Sequence, residues 1–123
     1  MKKSNIRDYG VSAFRYYAMA EKNKKSLILP ENERLASGCI LDILAVEKTL
    51  RDLEKTSEGE QMLKVLKTVY FTMPERNLKK GEISSRVILA GENIHASEAT
   101  IYRILNRVTN LFAQNRGLRV SLF

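Results

Sequence analysis

The chain is short of the residues that staple, interrupt or anchor a fold. Cys39 is its only cysteine, so no disulfide can close within it. It sits in an apolar run and reads as a small buried hydrophobe rather than a reactive thiol. His95 is the only histidine and is far from Cys39 along the chain, so no zinc site of the usual ligands is expected. Tryptophan is missing, and the two prolines, Pro30 and Pro74, fall between segments. The longest apolar run, ASGCILDILAV, is interrupted by Asp42 and falls short of the roughly 20 residues that span a bilayer. Lys2 and Lys3 lead into no apolar stretch, so no signal peptide is expected. The six glycines are scattered and form no phosphate-cradling loop. No carboxylate pair, metal-ligand set or nucleophile with a base stands out. These absences point to a cytoplasmic chain that is not an enzyme, needs no cofactor and uses no membrane.

What is present is charge and helical periodicity. With 123 residues the chain can bury the core of one domain without staples. The formal net charge is +7, unevenly placed. Residues 1–30 carry seven Lys/Arg against two acids, residues 31–60 four against eight, and residues 61–123 ten against four. Two basic ends suit a polyanion partner; an acidic middle suits a solvated helix.

Apolar spacing predicts an all-α bundle of about five helices, with no strand alternation. Residues 1–75 read as a region of three helices, and residues 76–123 as a helix-turn-helix region with an apolar tail. The first helix runs from about Asn5 to Asn23. Its Tyr9, Ala13, Tyr16, Tyr17 and Ala20 are either core or, with Arg7, Arg15 and Lys22, an aromatic-basic surface. The second runs from about Pro30 to Lys55. Ala36, Cys39, Ile43, Val46, Leu50 and Leu53 recur three and four apart, and Ile40, Leu44 and Ala45 widen the stripe. That seam suits either packing within the chain or a homodimer through 36–53. The third helix begins at a Ser57-Glu58-Gly59-Glu60 capping box. Met62, Leu63, Leu66, Val69 and Tyr70 follow at helical spacing until FTMPERNLKKG breaks the pattern. The last two helices cover about Glu82 to Asn93 and Glu98 to Asn115. Ser97 is the N-cap of the last, and Gly117 its stop. The tail LRVSLF docks either on the core or on a second subunit.

These last helices meet the demands of a steep helix-turn-helix crossing. Ala90 and Gly91 are small where the second helix must approach. Ile94 plugs the turn. At about 100° per residue, Ile101, Ile104, Leu105, Val108, Leu111 and Phe112 share one face. Ala99, Arg103, Asn106 and Asn110 share the other, flanked by Tyr102 and Arg107. That outer face carries no acid; Glu98 sits in the first turn, where the helix dipole favours it. Small Ala96 and Ala99 let the helix start approach a groove closely. Arg103 suits guanine and Asn106 adenine. Ser97, Glu98, Ala99, Tyr102, Arg103 and Asn106 are therefore the expected base readers. Lys79, Lys80, Ser84, Ser85, Arg86, Thr100 and Arg107 are the expected phosphate contacts. His95 stands where such turns commonly hold glycine, because the backbone there favours positive φ. It reads as a turn residue or as a further phosphate or base contact.

The stretch ENIHASEATIYRILNRV resembles the C-terminal helix-turn-helix of sigma-70 family region 4, in which a recognition helix of the form S-x-x-T-[VI]-x-R-x-[LI] follows a short turn. Ser97, Thr100 and Arg103 match it, and the resembling part covers about 81–116. RDYGVSAFRYY and LFAQNRGLR also resemble small sigma-like or phage-type transcription regulators of Gram-positive bacteria. The resemblance implies promoter-type DNA binding and contact with RNA polymerase. Two other functions fit the same helices: a phage DNA-packaging adaptor assembled as a ring, and a helical protein-interaction module that binds no DNA.

Overall fold

The computed structural model describes residues 3–23, 37–74 and 76–118. Five α-helices follow in order: α1 (Lys3–Asn23), α2 (Ser37–Glu54), α3 (Gly59–Leu66), α4 (Glu82–Ile94) and α5 (Glu98–Arg116). A π-helical turn, Lys67–Phe71, continues α3. There is no strand among the described residues, so the chain is all-α, as its periodicity predicts. The expected start of the second helix near Pro30, with Ala36, and the tail beyond Leu118 lie outside the described residues, as does the Lys22 side chain.

Helix α5 is the centre of the bundle and packs against all four others. Its Ile101, Val108 and Phe112 are fully buried. Phe112 meets Phe14 of α1 with ring centres 5.4 Å apart, and Phe14 stacks on Tyr70 at 6.0 Å. The described residues on either side of position 75 thus share one hydrophobic core.

The buried stripe of α1 is not the one the tyrosines suggest. Ile6, Ala13 and Phe14 are buried, while Tyr9, Tyr16 and Tyr17 are half-buried. Gly10 decides this register, because a Cβ there would lie 2.9 Å from the Thr109 Cγ2. On α2 the predicted seam is used inside the chain: Ile43, Val46 and Leu53 are buried in the core. They are therefore not available as a dimer seam. Cys39 is only half-buried, and Leu44, expected to widen the stripe, is exposed beside Leu41.

The expected capping box does not form. Helix α3 starts at Gly59, no side chain caps it, and Ser57 precedes it by two residues. The α2–α3 turn is closed instead by backbone: Gly59 N–H donates to the Thr56 carbonyl at 3.1 Å. Any Cβ at Gly59 would collide with the Leu53 carbonyl oxygen, so glycine alone fits this approach.

Arg15 was expected, on one reading, at an aromatic-basic surface. It is 8 % exposed and holds the segment after the π-helical turn from inside. Its guanidinium donates to the carbonyls of Tyr70 (3.1 Å), Thr72 (3.2 Å), Met73 (2.7 Å) and Arg76 (2.5 Å). Helix ends leave carbonyls unpaired, and a planar fork of donors satisfies several at once. At the other end of the bundle Asp42 of α2 accepts from Tyr9 (2.6 Å) and Arg116 (2.7 Å), tying α1, α2 and α5 together.

Candidate nucleic-acid interface

The α4–turn–α5 unit forms as its sequence predicts. Ala90 and Gly91 are buried, and a Cβ on Gly91 would approach the Ala96 carbonyl oxygen to 2.6 Å. His95 adopts φ 57°, ψ 48°, the left-handed conformation. Its N–H and that of Ala96 both reach the Gly91 carbonyl, the latter at 2.8 Å. Ile94 packs against the core from inside the turn. Ser97 is the N-cap of α5: its Oγ accepts from the Thr100 N–H at 3.2 Å. Gly117, at φ 86°, ends the helix.

This geometry sets which way α5 faces. Ile101, Leu105, Val108 and Phe112 are buried, with Ile104 and Leu111 half-buried beside them. Ser97, Glu98, Ala99, Tyr102, Arg103 and Asn106, the expected base readers, are all exposed. They lie together along the first two and a half turns of α5, opposite the core.

The expected phosphate set divides. Lys79, Lys80, Ser84, Ser85 and Arg107 are exposed. Ser84 Oγ lies 3.5 Å from the Tyr102 hydroxyl, so the start of α4 adjoins the outer face of α5. Thr100 is half-buried, and its hydroxyl sits 3.1 Å from Ser97 Oγ, within the cap. Arg107 meets Glu58 at 3.4 Å. Both side chains are well exposed, and such a pair is too weak to withhold the arginine from a phosphate.

Arg86 requires a correction. It is 7 % exposed, donates to the Val69 carbonyl at 2.9 Å and pairs with Glu82 at 2.7 Å. A guanidinium buried under the helix cannot reach a phosphate. Glu82 also pairs with Arg76 at 2.7 Å and accepts from the Lys79 N–H at 2.9 Å. The Arg76 hydrogen bond, then the Lys79 N–H, hold its carboxyl at about 2. This network fixes the 76–86 segment, and with it the placement of Lys79 and Lys80.

Arg7 is the residue that sequence reasoning left out of the phosphate set. It is exposed on α1 and lines the same groove as Tyr102 and Asn106. Its place in the basic first helix was visible, but nothing local says that α1 borders α5. The opposite flank is less basic than the α5 sequence implies. There Arg103, Asn106, Arg107 and Asn110 share a groove with Asp52 and Thr56. Asp52 and Glu58 therefore lie beside the Arg103–Asn110 part of the face, and Arg7 beside Tyr102 and Asn106.

Among the described residues no group of His, Cys, Asp and Glu could hold a metal ion, and no helix is long and apolar enough to cross a membrane. Comparison with protein-family models, with curated proteins and with solved structures finds no match, so the functional reading rests on these residues alone.

Proposed function

We propose that the protein binds duplex DNA in a sequence-specific manner as a transcription regulator, with the N-terminal half of α5 in the major groove. One observation carries this reading. A side-chain-capped helix behind a tight left-handed turn exposes Ala99, Arg103 and Asn106 on one face while its other face is core. In this reading Arg103 and Asn106 contact base edges, and Lys79, Lys80, Ser84 and Arg7 contact phosphates. The function is binding rather than chemistry.

Contact with RNA polymerase, which the sigma-like resemblance implies, has a candidate surface in Ile88 and Leu89. These are 47 % and 50 % exposed on α4. Large apolar side chains side by side on a helix suit a protein partner better than a phosphate.

The test is duplex binding by the purified chain across a salt series, with selection from random sequence to define a site. Affinity is expected to fall steeply with salt as counterions are released. Arg103→Ala is expected to relax base preference at a cost of about 1–3 kcal/mol, and Lys80→Ala to weaken all sequences alike while lowering the salt slope by about 1. Indifference to DNA at low salt sinks the reading. A ring-sized mass in solution favours the packaging adaptor instead.

A further inference from the structure

The α2–α3 turn reaches across to the flank of α5. Its backbone is closed tightly: Thr56 N–H and Gly59 N–H donate to the Leu53 and Thr56 carbonyls at 3.1 Å each, and the Thr56 hydroxyl donates to the Leu53 carbonyl at 2.9 Å. The Glu58 carbonyl accepts the Met62 N–H of α3, while the Glu58 carboxylate caps nothing. That carboxylate instead meets Arg107, 49 positions further along the chain, at 3.4 Å. Asp52 lies in the groove that Arg103, Asn106 and Arg107 line, but Lys48 and Asn115 engage it at 3.2 Å each. Glu58 is therefore the acid that a polyanion arriving at Arg107 displaces. A carboxylate and a phosphate take the same N–H donors of a guanidinium.

We propose that Glu58 holds the place of a DNA phosphate on Arg107, and that this contact lowers the affinity for duplex. The inference rests on the DNA-binding reading above and concerns how strongly that face binds. Binding exchanges the Glu58 carboxylate for a phosphate on Arg107 and leaves the carboxylate facing the DNA backbone. An exposed ion pair is weak, so the contact does not block the site; it costs the complex about two- to fivefold in affinity. Because Arg107 meets a phosphate and not a base edge, the loss falls on every sequence alike. The turn thus sets the general affinity and leaves the base preference to Arg103 and Asn106.

The experiment measures the affinity of the full chain, at low salt, for the duplex selected from random sequence and for an unrelated duplex of equal length. Glu58→Gln keeps the shape of the side chain and the backbone bonds of the turn. It is expected to raise affinity about two- to fivefold on both duplexes, with the gain shrinking as salt rises. Glu60→Gln removes an equal charge from the first turn of α3, where Glu60 forms a pair with Lys64 at 3.7 Å. It is expected to change affinity by less than about 1.5-fold. In an Arg107→Ala background the Glu58→Gln gain should fall to that of Glu60→Gln, because the two residues act as a pair. A Glu58→Gln gain no larger than that of Glu60→Gln overturns the proposal, as does a gain that survives intact without Arg107. A gain confined to the selected duplex puts Arg107 on a base edge and overturns the phosphate exchange. A chain that binds neither duplex in any of these forms refutes the DNA reading itself, and this inference with it.

Discussion

At φ 57° the Cβ of His95 crowds its own backbone, a conformation that costs an L residue about 1–2 kcal/mol and glycine almost nothing. The side chain is exposed and makes no core contact that would offset this. His95→Gly is therefore expected to stabilise the chain by about 1 kcal/mol in urea unfolding. A loss of stability would show that the imidazole does more than occupy the turn. Thr109 presents the opposite situation, a hydroxyl buried with no partner. Thr109→Val keeps the shape and removes the unsatisfied oxygen, and is expected to stabilise by about 1 kcal/mol. Thr49→Val is the control. Its hydroxyl donates to the Ala45 carbonyl at 2.7 Å and accepts from Asn115 at 3.0 Å, so the same change should destabilise. If both variants shift the urea midpoint in one direction, the distinction between satisfied and orphaned hydroxyls fails.

At the scale of elements, Val69 and Tyr70 seat the π-helical turn in the core, and two guanidinium groups hold the chain that leads from it towards α4. The π-helical turn leaves the Val69 and Tyr70 carbonyls pointing inward, where Arg86 and Arg15 take them. Arg15 continues along the chain to Thr72, Met73 and Arg76. Arg15→Met keeps most of the buried volume but removes the guanidinium donor from the Tyr70, Thr72 and Arg76 carbonyls and leaves Met73 only the long bond from the Arg76 N–H. It is expected to cost about 2–3 kcal/mol and to remove hydrogen-exchange protection from the segment before α1 or α5 loses any. Uniform loss of protection throughout the bundle would mean that Arg15 supports the global core and not this segment. Helix α5 reads from sequence almost completely, because its cap, its inner stripe and its stop are all local features. The α2–α3 turn does not. Ser57 and Glu60 have capping-box spacing, yet the close approach of Gly59 to the Leu53 carbonyl sets where α3 begins.

For the whole molecule, acid stability depends on the network around Glu82. Its folded pKa is about 2 against an ordinary 4.5. A depressed carboxyl contributes stability that is present in full above the unfolded value and lost as pH falls from about 4.5 through about 2. Glu82→Gln should therefore flatten the decline of the urea midpoint between pH 5 and pH 2, while also lowering that midpoint at pH 6. An unchanged slope would remove Glu82 from the acid transition. The charge of the molecule is also redistributed by folding. Arg15 and Arg86 are turned inward, whereas Lys79, Lys80, Arg7, Arg103 and Arg107 remain on the surface. Arg15 and Arg86 therefore add nothing to the basic surface that a polyanion would meet.

The sequence by itself determined the helical class, the bounds of α4 and α5, the left-handed turn at His95, the Ser97 cap and the inward face of α5. Each follows from spacing over a few residues, where helix geometry, glycine and capping chemistry act locally. Only the tertiary structure decided that α2 spends its seam inside the chain, that Arg15 and Arg86 are struts, and that Arg7 stands beside Asn106. The Arg15 bonds join positions 55 to 61 apart, and no local pattern tells a guanidinium which distant carbonyls it will meet.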